Sequence, residues 1–140
     1  MVRILLADDH NIVRKGLRGI LEDYDGWHVC GEAANGREAV ELALLLKPDI
    51  IVMDLAMPEL NGIEATKEVK KLLPKTEVVI LTMHDSEELI YSAFQAGAKG
   101  FILKSNDELE LVRAIREITA QRHRPPLHHN PPPFDRRSPR

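Results

Sequence analysis

Short apolar runs recur five times along the chain, and longer segments with helical spacing of apolar residues separate them. In the first such segment, one face of a helix would carry Ile12, Val13, Leu17, Ile20 and Leu21. The pattern therefore predicts a strand followed by a helix, five times over. The predicted strands are RILLAD, WHVCGEA, DIIVMDL, EVVILT and GFILK.

Four of the helix starts carry a capping signature, in which a short polar residue precedes an acid by three positions. The pairs are Asn35 with Glu38, Asn61 with Glu64, Asp85 with Glu88, and Ser105 with Glu108. Prolines at positions 48 and 74 follow helical segments, where a helix is expected to stop.

This order of elements predicts an α/β fold with a parallel sheet between two layers of helices. Parallel neighbours need long crossover connections, and those connections are normally right-handed. Runs such as DIIVMDL and EVVILT are apolar almost throughout, as strands covered on both faces are.

Composition supports one domain with a substantial core, because the chain has 140 residues, of which 44% are hydrophobic and 29% charged. The single cysteine excludes an intrachain disulfide. The first apolar run is broken by acids too early for a signal peptide or a membrane span of roughly 20 residues. We therefore expect a cytoplasmic protein without a membrane segment.

A domain boundary is predicted near residue 121. Residues 122–140 contain six of the nine prolines and five of the 19 basic residues, and they show no apolar periodicity. They are expected to form a flexible tail, either a linker remnant or a foreign extension. His123, His128 and His129 lack acids or cysteines at ligand spacing, so a metal site there is not favoured. Residues 1–121 keep 14 basic and 21 acidic residues, a balance that argues against broad attraction to nucleic acid.

Polar residues stand where the predicted strands end. In an open parallel sheet, the carboxyl ends of the strands lie along one edge, where ligands bind. These positions hold Asp8 and Asp9, Asp54, Thr82 and Lys104, while the second strand offers only the weaker candidate Glu32. Each residue alone has an ordinary structural explanation, such as a cap or a solvated lysine. Together, the crowded carboxylates call for a bound cation.

Oxygen ligands without a histidine or cysteine cluster nearby favour a hard cation, Mg2+, over zinc. Magnesium held by one or two carboxylates keeps positions open for phosphate oxygens, so the site suits an aspartate that becomes phosphorylated. Neither a G-x-x-x-x-G-K-[ST] loop nor a G-x-G-x-x-G turn follows the first strand, which disfavours nucleotide binding.

These motifs resemble the receiver domain of two-component response regulators, over about residues 2–122. The resemblance is carried by the acidic pair, by MDLAMPELNG around Asp54, by LT ending at Thr82, and by AGAKGFILK ending at Lys104. The phrases ADDHNIVRKGL and AGAKGFILK are similar to the NarL/LuxR-type branch. The resemblance implies a flavodoxin-like (CheY-like) doubly wound sheet with strand order 2-1-3-4-5.

The resemblance also implies roles for individual residues. Asp54 would accept a phosphoryl group from a sensor histidine kinase. Asp9, Asp54 and the main-chain carbonyl of Ala56 would coordinate Mg2+, with Asp8 assisting through water. Lys104 would bind the phosphoryl group.

Three further residues have implied roles in switching and in rate. Thr82 would shift to bond the phosphoryl oxygen, and Phe101 would turn inward as the Thr82 loop moves. The side chains of Ala56 and His84 would tune the rate of phosphoryl loss. The readout face would comprise the fourth helix, the fifth strand and the fifth helix, with Tyr91 as an exposed contact.

The resemblance implies a signalling module that catalyses only its own phosphoryl transfer and slow autodephosphorylation. Homodimerisation on phosphorylation is left open. Branch members usually carry a helix-turn-helix output domain of roughly 60 residues after the receiver, whereas only the proline-rich tail follows here. We expect DNA binding only through such a domain. Two alternatives remain, namely an aspartyl-phosphate-forming phosphohydrolase and a phosphorylation-independent interaction domain.

Overall fold

The computed structural model describes residues 1–84, 86–104, 108–122 and 134–135. Within these residues, strands and helices alternate in the predicted order. The elements are β1 (Val2–Ala7), α1 (Asn11–Glu22), β2 (Trp27–Ala33), α2 (Gly36–Leu46), β3 (Ile50–Asp54), α3 (Gly62–Leu72), β4 (Glu77–Thr82), α4 (Glu87–Gln95), β5 (Gly100–Leu103), α5 (Glu108–Arg122) and β6 (Phe134–Asp135).

The sheet is parallel and its strand order is β2-β1-β3-β4-β5-β6. The five predicted strands thus stand in the expected order 2-1-3-4-5. The register sets Ala7 of β1 beside Met53 of β3, so that the next residue on each strand reaches the same edge. Both strands run between helical layers, and all five residues of β3 are buried.

Two apolar cores cover the two faces of the sheet, because alternate residues of a strand point to opposite sides. Leu5, Ile51 and Ile80 pack with residues of α2, α3 and α4 on one face. Ile4, Val52 and Val79 pack with residues of α1 and α5 on the other. Buried on both sides, the central strands hold their polar last residues in fixed positions.

The capping predictions hold for two helices. Asn35 and Asn61 each accept a hydrogen bond from the main-chain N–H of the glutamate three residues later. For α4 the predicted cap was one residue too early, because Ser86 accepts from the main-chain N–H of Leu89 at 3.2 Å. Asp85 and Ser105 lie outside the described residues.

The expected five strands are joined by a two-residue sixth, which the sequence did not predict. Phe134 lies opposite Gly100 and Asp135 opposite Phe101, in a parallel pairing. An edge strand has unpaired N–H and C=O groups that a further strand can satisfy without any apolar pattern. The rest of residues 123–140, including the three tail histidines, lies outside the described residues.

Candidate functional site

Three aspartates meet where β1 and β3 end. Asp8 directly follows β1, and its N–H donates to the carbonyl of Ala33 at 3.0 Å. Asp54 is the last residue of β3. Asp8 and Asp54 are only 3% and 5% exposed, whereas Asp9 is exposed at the mouth of the site. Two nearly buried carboxylates therefore share one edge of the sheet, as the sequence predicts.

Lys104 joins these two carboxylates. Its Nζ lies 2.8 Å from Asp8 Oδ2 and 3.2 Å from Asp54 Oδ2. The main-chain N–H of Lys104 donates to the Thr82 carbonyl at 2.7 Å, which fixes the start of the lysine loop against β4. Burial lowers the pKa of the lysine, but hydrogen bonds and charges from Asp8 and Asp54 outweigh burial and raise it overall. The ammonium is thus held in its charged form.

The pKa of Asp54 is raised above the ordinary aspartate value. Burial is the largest cause, followed by the charge of Asp8, and Lys104 offsets these effects only in part. One ammonium faces three carboxylates. Asp8 and Asp54 together are enough to raise the pKa of Lys104, whereas the single ammonium does not cancel the effects of burial and of Asp8 on the pKa of Asp54. A divalent cation would supply the positive charge that the cluster lacks.

We expect Asp54→Asn to raise the free energy of unfolding at neutral pH, without metal, by on the order of 1 kcal/mol, because Lys104 keeps Asp8 as its partner while a buried, repelled charge is removed. Asp54 binds its proton more tightly in the folded chain, so its contribution to stability is full below the ordinary aspartate pKa. That contribution is lost as the pH rises through the raised pKa. Urea unfolding at several pH values checks this, because the advantage of the variant should vanish in acid. A variant less stable than wild type at neutral pH would contradict the assignment of Asp54 as an undercompensated charge.

Thr82 is fully buried at the end of β4, and its hydroxyl accepts a hydrogen bond from the N–H of His84 at 3.2 Å. The hydroxyl therefore engages the loop that follows β4. The His84 side chain is exposed on that loop. A shift of Thr82 would break this bond, so it would move the backbone that carries His84.

Phe101, the expected switch residue, is 1% exposed and packs in the core shared with α4. The ring already lies inward, and its expected movement with the Thr82 loop stays a prediction. In α4, Ile90 and Ala93 are buried, whereas Tyr91 is 67% exposed. The exposure expected for Tyr91 is confirmed.

The turn after β3 shapes the mouth of the site. The N–H of Gly62 donates to the Leu55 carbonyl at 2.8 Å, and Glu59 takes a positive φ of 71°. The side chain of Ala56 is exposed at this turn. A Cβ at Gly62 would lie 2.2 Å from the Asp54 carbonyl oxygen, so only glycine fits there. The α3 start can therefore approach the backbone of Asp54 closely.

The weaker candidate Glu32 belongs to a different group of charges. Its carboxylate accepts from Arg14 Nε at 3.0 Å and from Arg18 Nη1 at 2.7 Å. The hydrogen bond from Arg18 is the largest cause of its lowered pKa. Arg14 Nη1 also donates to the Asp8 carbonyl at 2.6 Å. Glu32 thus acts through Arg14 as a support for the backbone of the acidic pair, a role that sequence reasoning missed.

The sequence reasoning also missed His10, although it directly follows the acidic pair. Its Nδ1 lies 3.1 Å from Asp8 Oδ1 and 3.1 Å from Asp9 Oδ1. The edge of the sheet that holds the acidic cluster therefore also carries an imidazole nitrogen. The sequence ADDH could have indicated this contact, because a turn that brings two successive acids to one edge of the sheet also carries the next residue there.

The cluster has the size of a cation site. One ligand atom from each of Asp8, Asp9, His10 and Asp54 lies within 4.8 Å of the others. Carboxylates at a metal site of about 2.1 Å ligand distance can be about 3.0 to 4.2 Å apart, so small side-chain movements would close the site around an ion. The residues present fit a divalent cation.

Comparison with known proteins identifies the family. The model of the response regulator receiver domain matches residues 4–116, and the chain belongs to this family. The uncharacterized transcriptional regulatory protein YxjL of Bacillus subtilis (strain 168) is 44% identical over 115 residues, which are 82% of this chain and 53% of YxjL. The chain therefore spans about half the length of this curated relative.

Solved structures give the same result. A LuxR-family two-component response regulator from Aurantimonas sp. SI85-9A1 is 44% identical, with a TM-score of 0.83 and 86% of each chain covered. A CheY from Borrelia burgdorferi, in a complex with CheX, BeF3 and Mg, is 25% identical, with a TM-score of 0.79 over 84% of this chain and 89% of that one. The fold is that of CheY-like receivers, and the relatives are LuxR/NarL-type regulators.

In the described part of the chain, no helix combines the length and the apolar character that crossing a bilayer requires.

Proposed function

We propose that Asp54 is the phosphorylation site of this receiver domain and that phosphorylation depends on Mg2+. The observation that carries the proposal is the contact of Lys104 with both Asp8 and Asp54 in an acidic cluster at the carboxyl edge of the sheet. Asp54 is the member of this cluster that lies at the end of β3 with a raised pKa and a lysine partner. Family membership supports the same choice.

In the transfer, a carboxylate oxygen of Asp54 attacks the phosphorus of a phosphohistidine on the donor protein. The P–N bond breaks, the imidazole leaves with the bonding pair, and an aspartyl phosphate remains. Asp9, Asp54 and the Ala56 carbonyl would hold Mg2+, with Asp8 assisting through water. When bound, the ion would supply positive charge that stabilises the phosphoryl oxygens. The Mg that accompanies CheY in the Borrelia burgdorferi complex supports this choice of cation.

Lys104 and Thr82 complete the proposed site. The ammonium of Lys104 already contacts Asp54, so it can bind a phosphoryl oxygen once Asp54 is phosphorylated. The hydroxyl of Thr82 exchanges its bond with the His84 N–H for a bond that it donates to the phosphoryl group. Phosphorylation adds about 1.5 to 2 negative charges, and this loop movement transmits the change to Phe101 and the α4, β5 and α5 surface.

The domain is proposed to catalyse only its own phosphoryl transfer and a slow loss of the group by attack of water. His84 and the side chain of Ala56 flank the mouth and would tune that loss. The phosphoryl donor is proposed to be a sensor histidine kinase in the cytoplasm. Homodimerisation through the readout face, and DNA binding through an output domain like those of transcriptional regulators, would follow phosphorylation.

Incubation with a small-molecule phosphodonor and Mg2+ tests the proposal. Intact-protein mass spectrometry should show the gain of one phosphoryl group, and the gain should disappear in Asp54→Ala or when Mg2+ is chelated. Glu77→Gln is a matched control, because it removes a carboxylate that also has a lysine partner, Lys70 at 3.0 Å, but that lies at the opposite end of the sheet, in the first residue of β4. Rapid multiple turnover of the phosphodonor would instead favour a phosphohydrolase, and a chain that gains no phosphoryl group would favour an interaction domain.

A further inference from the structure

His10 places an imidazole nitrogen in a candidate metal-binding cluster whose other ligand atoms are carboxylate oxygens. It lies between β1 and α1 as the N-cap residue of α1, but its side chain makes no capping hydrogen bond. Its main-chain N–H donates to Asp8 Oδ1 at 2.8 Å, which folds the residue back over the acidic pair. The imidazole is therefore turned toward the aspartates instead of the helix.

A hydrogen bond joins His10 Nδ1 to Asp8 Oδ1, but this bond does not account for the equally short distance from Nδ1 to Asp9 Oδ1. His10 Nδ1 lies 3.1 Å from one carboxylate oxygen of each of Asp8 and Asp9. Nδ1 carries at most one hydrogen, so it cannot donate a full hydrogen bond to both carboxylates. Two ligands at right angles around an ion, each about 2.1 Å from it, are about 3.0 Å apart. The spacing around Nδ1 is therefore that of neighbouring ligands.

We propose that His10 is a ligand that strengthens the binding of first-row transition metals such as Co2+ at this cation site. The inference rests on the proposed Mg2+ site and concerns which ions the site binds more tightly. Mg2+ takes oxygen ligands and gains little from an imidazole, whereas Co2+ accepts nitrogen readily. His10 thus gives the same carboxylates a second mode of binding, with one nitrogen in the coordination sphere.

Two features of the site permit this mode. The side chain of His10 is 65% exposed, so it can turn toward an ion without leaving a packed position. Asp9 is also partly exposed, whereas Asp8 is held by its backbone bonds to Ala33 and Arg14. Two exposed ligands beside one fixed carboxylate can adjust to a nitrogen atom in the coordination sphere.

The test compares the affinities of Mg2+ and Co2+ for the full chain by isothermal titration calorimetry. The tail histidines would also bind Co2+, so His123, His128 and His129 are replaced by alanine in every protein. In this background, His10→Ala should weaken Co2+ at least about tenfold and change Mg2+ less than about twofold, because loss of a supporting group alone costs about 10-fold to 100-fold. His28→Ala, which removes a histidine of β2 that lies beside Glu22 and outside the acidic cluster, should change neither affinity.

A spectroscopic measurement separates coordination from an effect on loop shape. Pulsed electron paramagnetic resonance of bound Mn2+ should show coupling to an imidazole nitrogen, and His10→Ala should remove the coupling. Equal weakening of Mg2+ and Co2+, unchanged Co2+ affinity, or absent nitrogen coupling would overturn this inference while leaving the proposed function intact. Failure of Mg2+ itself to bind, or Mg2+ binding that Asp54→Ala leaves unchanged, would contradict the proposed function as well.

Discussion

Lys104→Met is expected to lower the free energy of unfolding, measured without metal, by about 2 to 4 kcal/mol. Removing one partner of a buried ion pair costs about 3 to 5 kcal/mol, and the lysine side chain is 14% exposed, so the lower part of that range applies. The variant leaves Asp8 and Asp54 without their cation while both stay nearly buried. Urea unfolding with and without Mg2+ measures the effect.

Mg2+ should recover more stability in Lys104→Met than in wild type, because the ion replaces the missing positive charge at the same carboxylates. Lys70→Met is the matched control. Lys70 is also a largely buried lysine, bonded to Glu77 at 3.0 Å and to the carbonyls of Pro74 and Thr76, but these partners belong to the loop before β4 and to its first residue. Its loss of stability should not respond to Mg2+. Equal responses of the two variants to Mg2+ would contradict the role given to Lys104.

Gly62→Ala is expected to lower the free energy of unfolding by about 3 kcal/mol and to weaken Mg2+ binding. The added Cβ would lie 2.2 Å from the Asp54 carbonyl oxygen and 2.9 Å from Leu55 Cα, and backbone atoms cannot turn away as a flexible side chain can. Overpacking of this kind costs typically about 1 to 3 kcal/mol, occasionally more. Because the clash displaces Asp54, it should also misplace the carboxylate.

Gly19→Ala provides the contrast, since a Cβ there has no atom within 4 Å. In the middle of α1, this change should stabilise the chain by up to about 1 kcal/mol and leave Mg2+ affinity unchanged. Chemical denaturation and calorimetric titration of both variants check the pair. Undiminished Mg2+ affinity in Gly62→Ala would show that the close approach of α3 does not position Asp54.

The sequence predicted most of the fold because the apolar runs were long, separate and bounded by turn residues. Once five parallel strands were assigned, the residues at their carboxyl ends had to share one edge, and Asp8, Asp54 and Lys104 do so. Glu32 was harder to place, because its direction depends on Arg14 and Arg18 of α1, which lie 18 and 14 residues away along the chain. Ion pairs between residues this far apart produce no periodic pattern in the sequence.

Other details depended on local geometry that residue types alone do not determine. Asp85 and Ser86 are both good caps, and the one-residue difference lies in where the α4 backbone begins. The residue type of His10 does not show that the turn after β1 brings its Nδ1 to both aspartates. The pairing of β6 with β5 uses main-chain groups, so it required no apolar pattern.

The most direct test of the central claim is to locate the phosphoryl group. Borohydride reduces an acyl phosphate, so the phosphorylated aspartate becomes homoserine, and peptide sequencing by mass spectrometry then reads its position. Trypsin separates the candidates, because Asp8 and Asp9 fall in the peptide 4–14 and Asp54 in the peptide 38–67. We predict homoserine at position 54, formed only when phosphodonor and Mg2+ were both present. Homoserine at position 8, 9 or 49, or a reduced glutamate in the peptide 38–67, would contradict the assignment of Asp54.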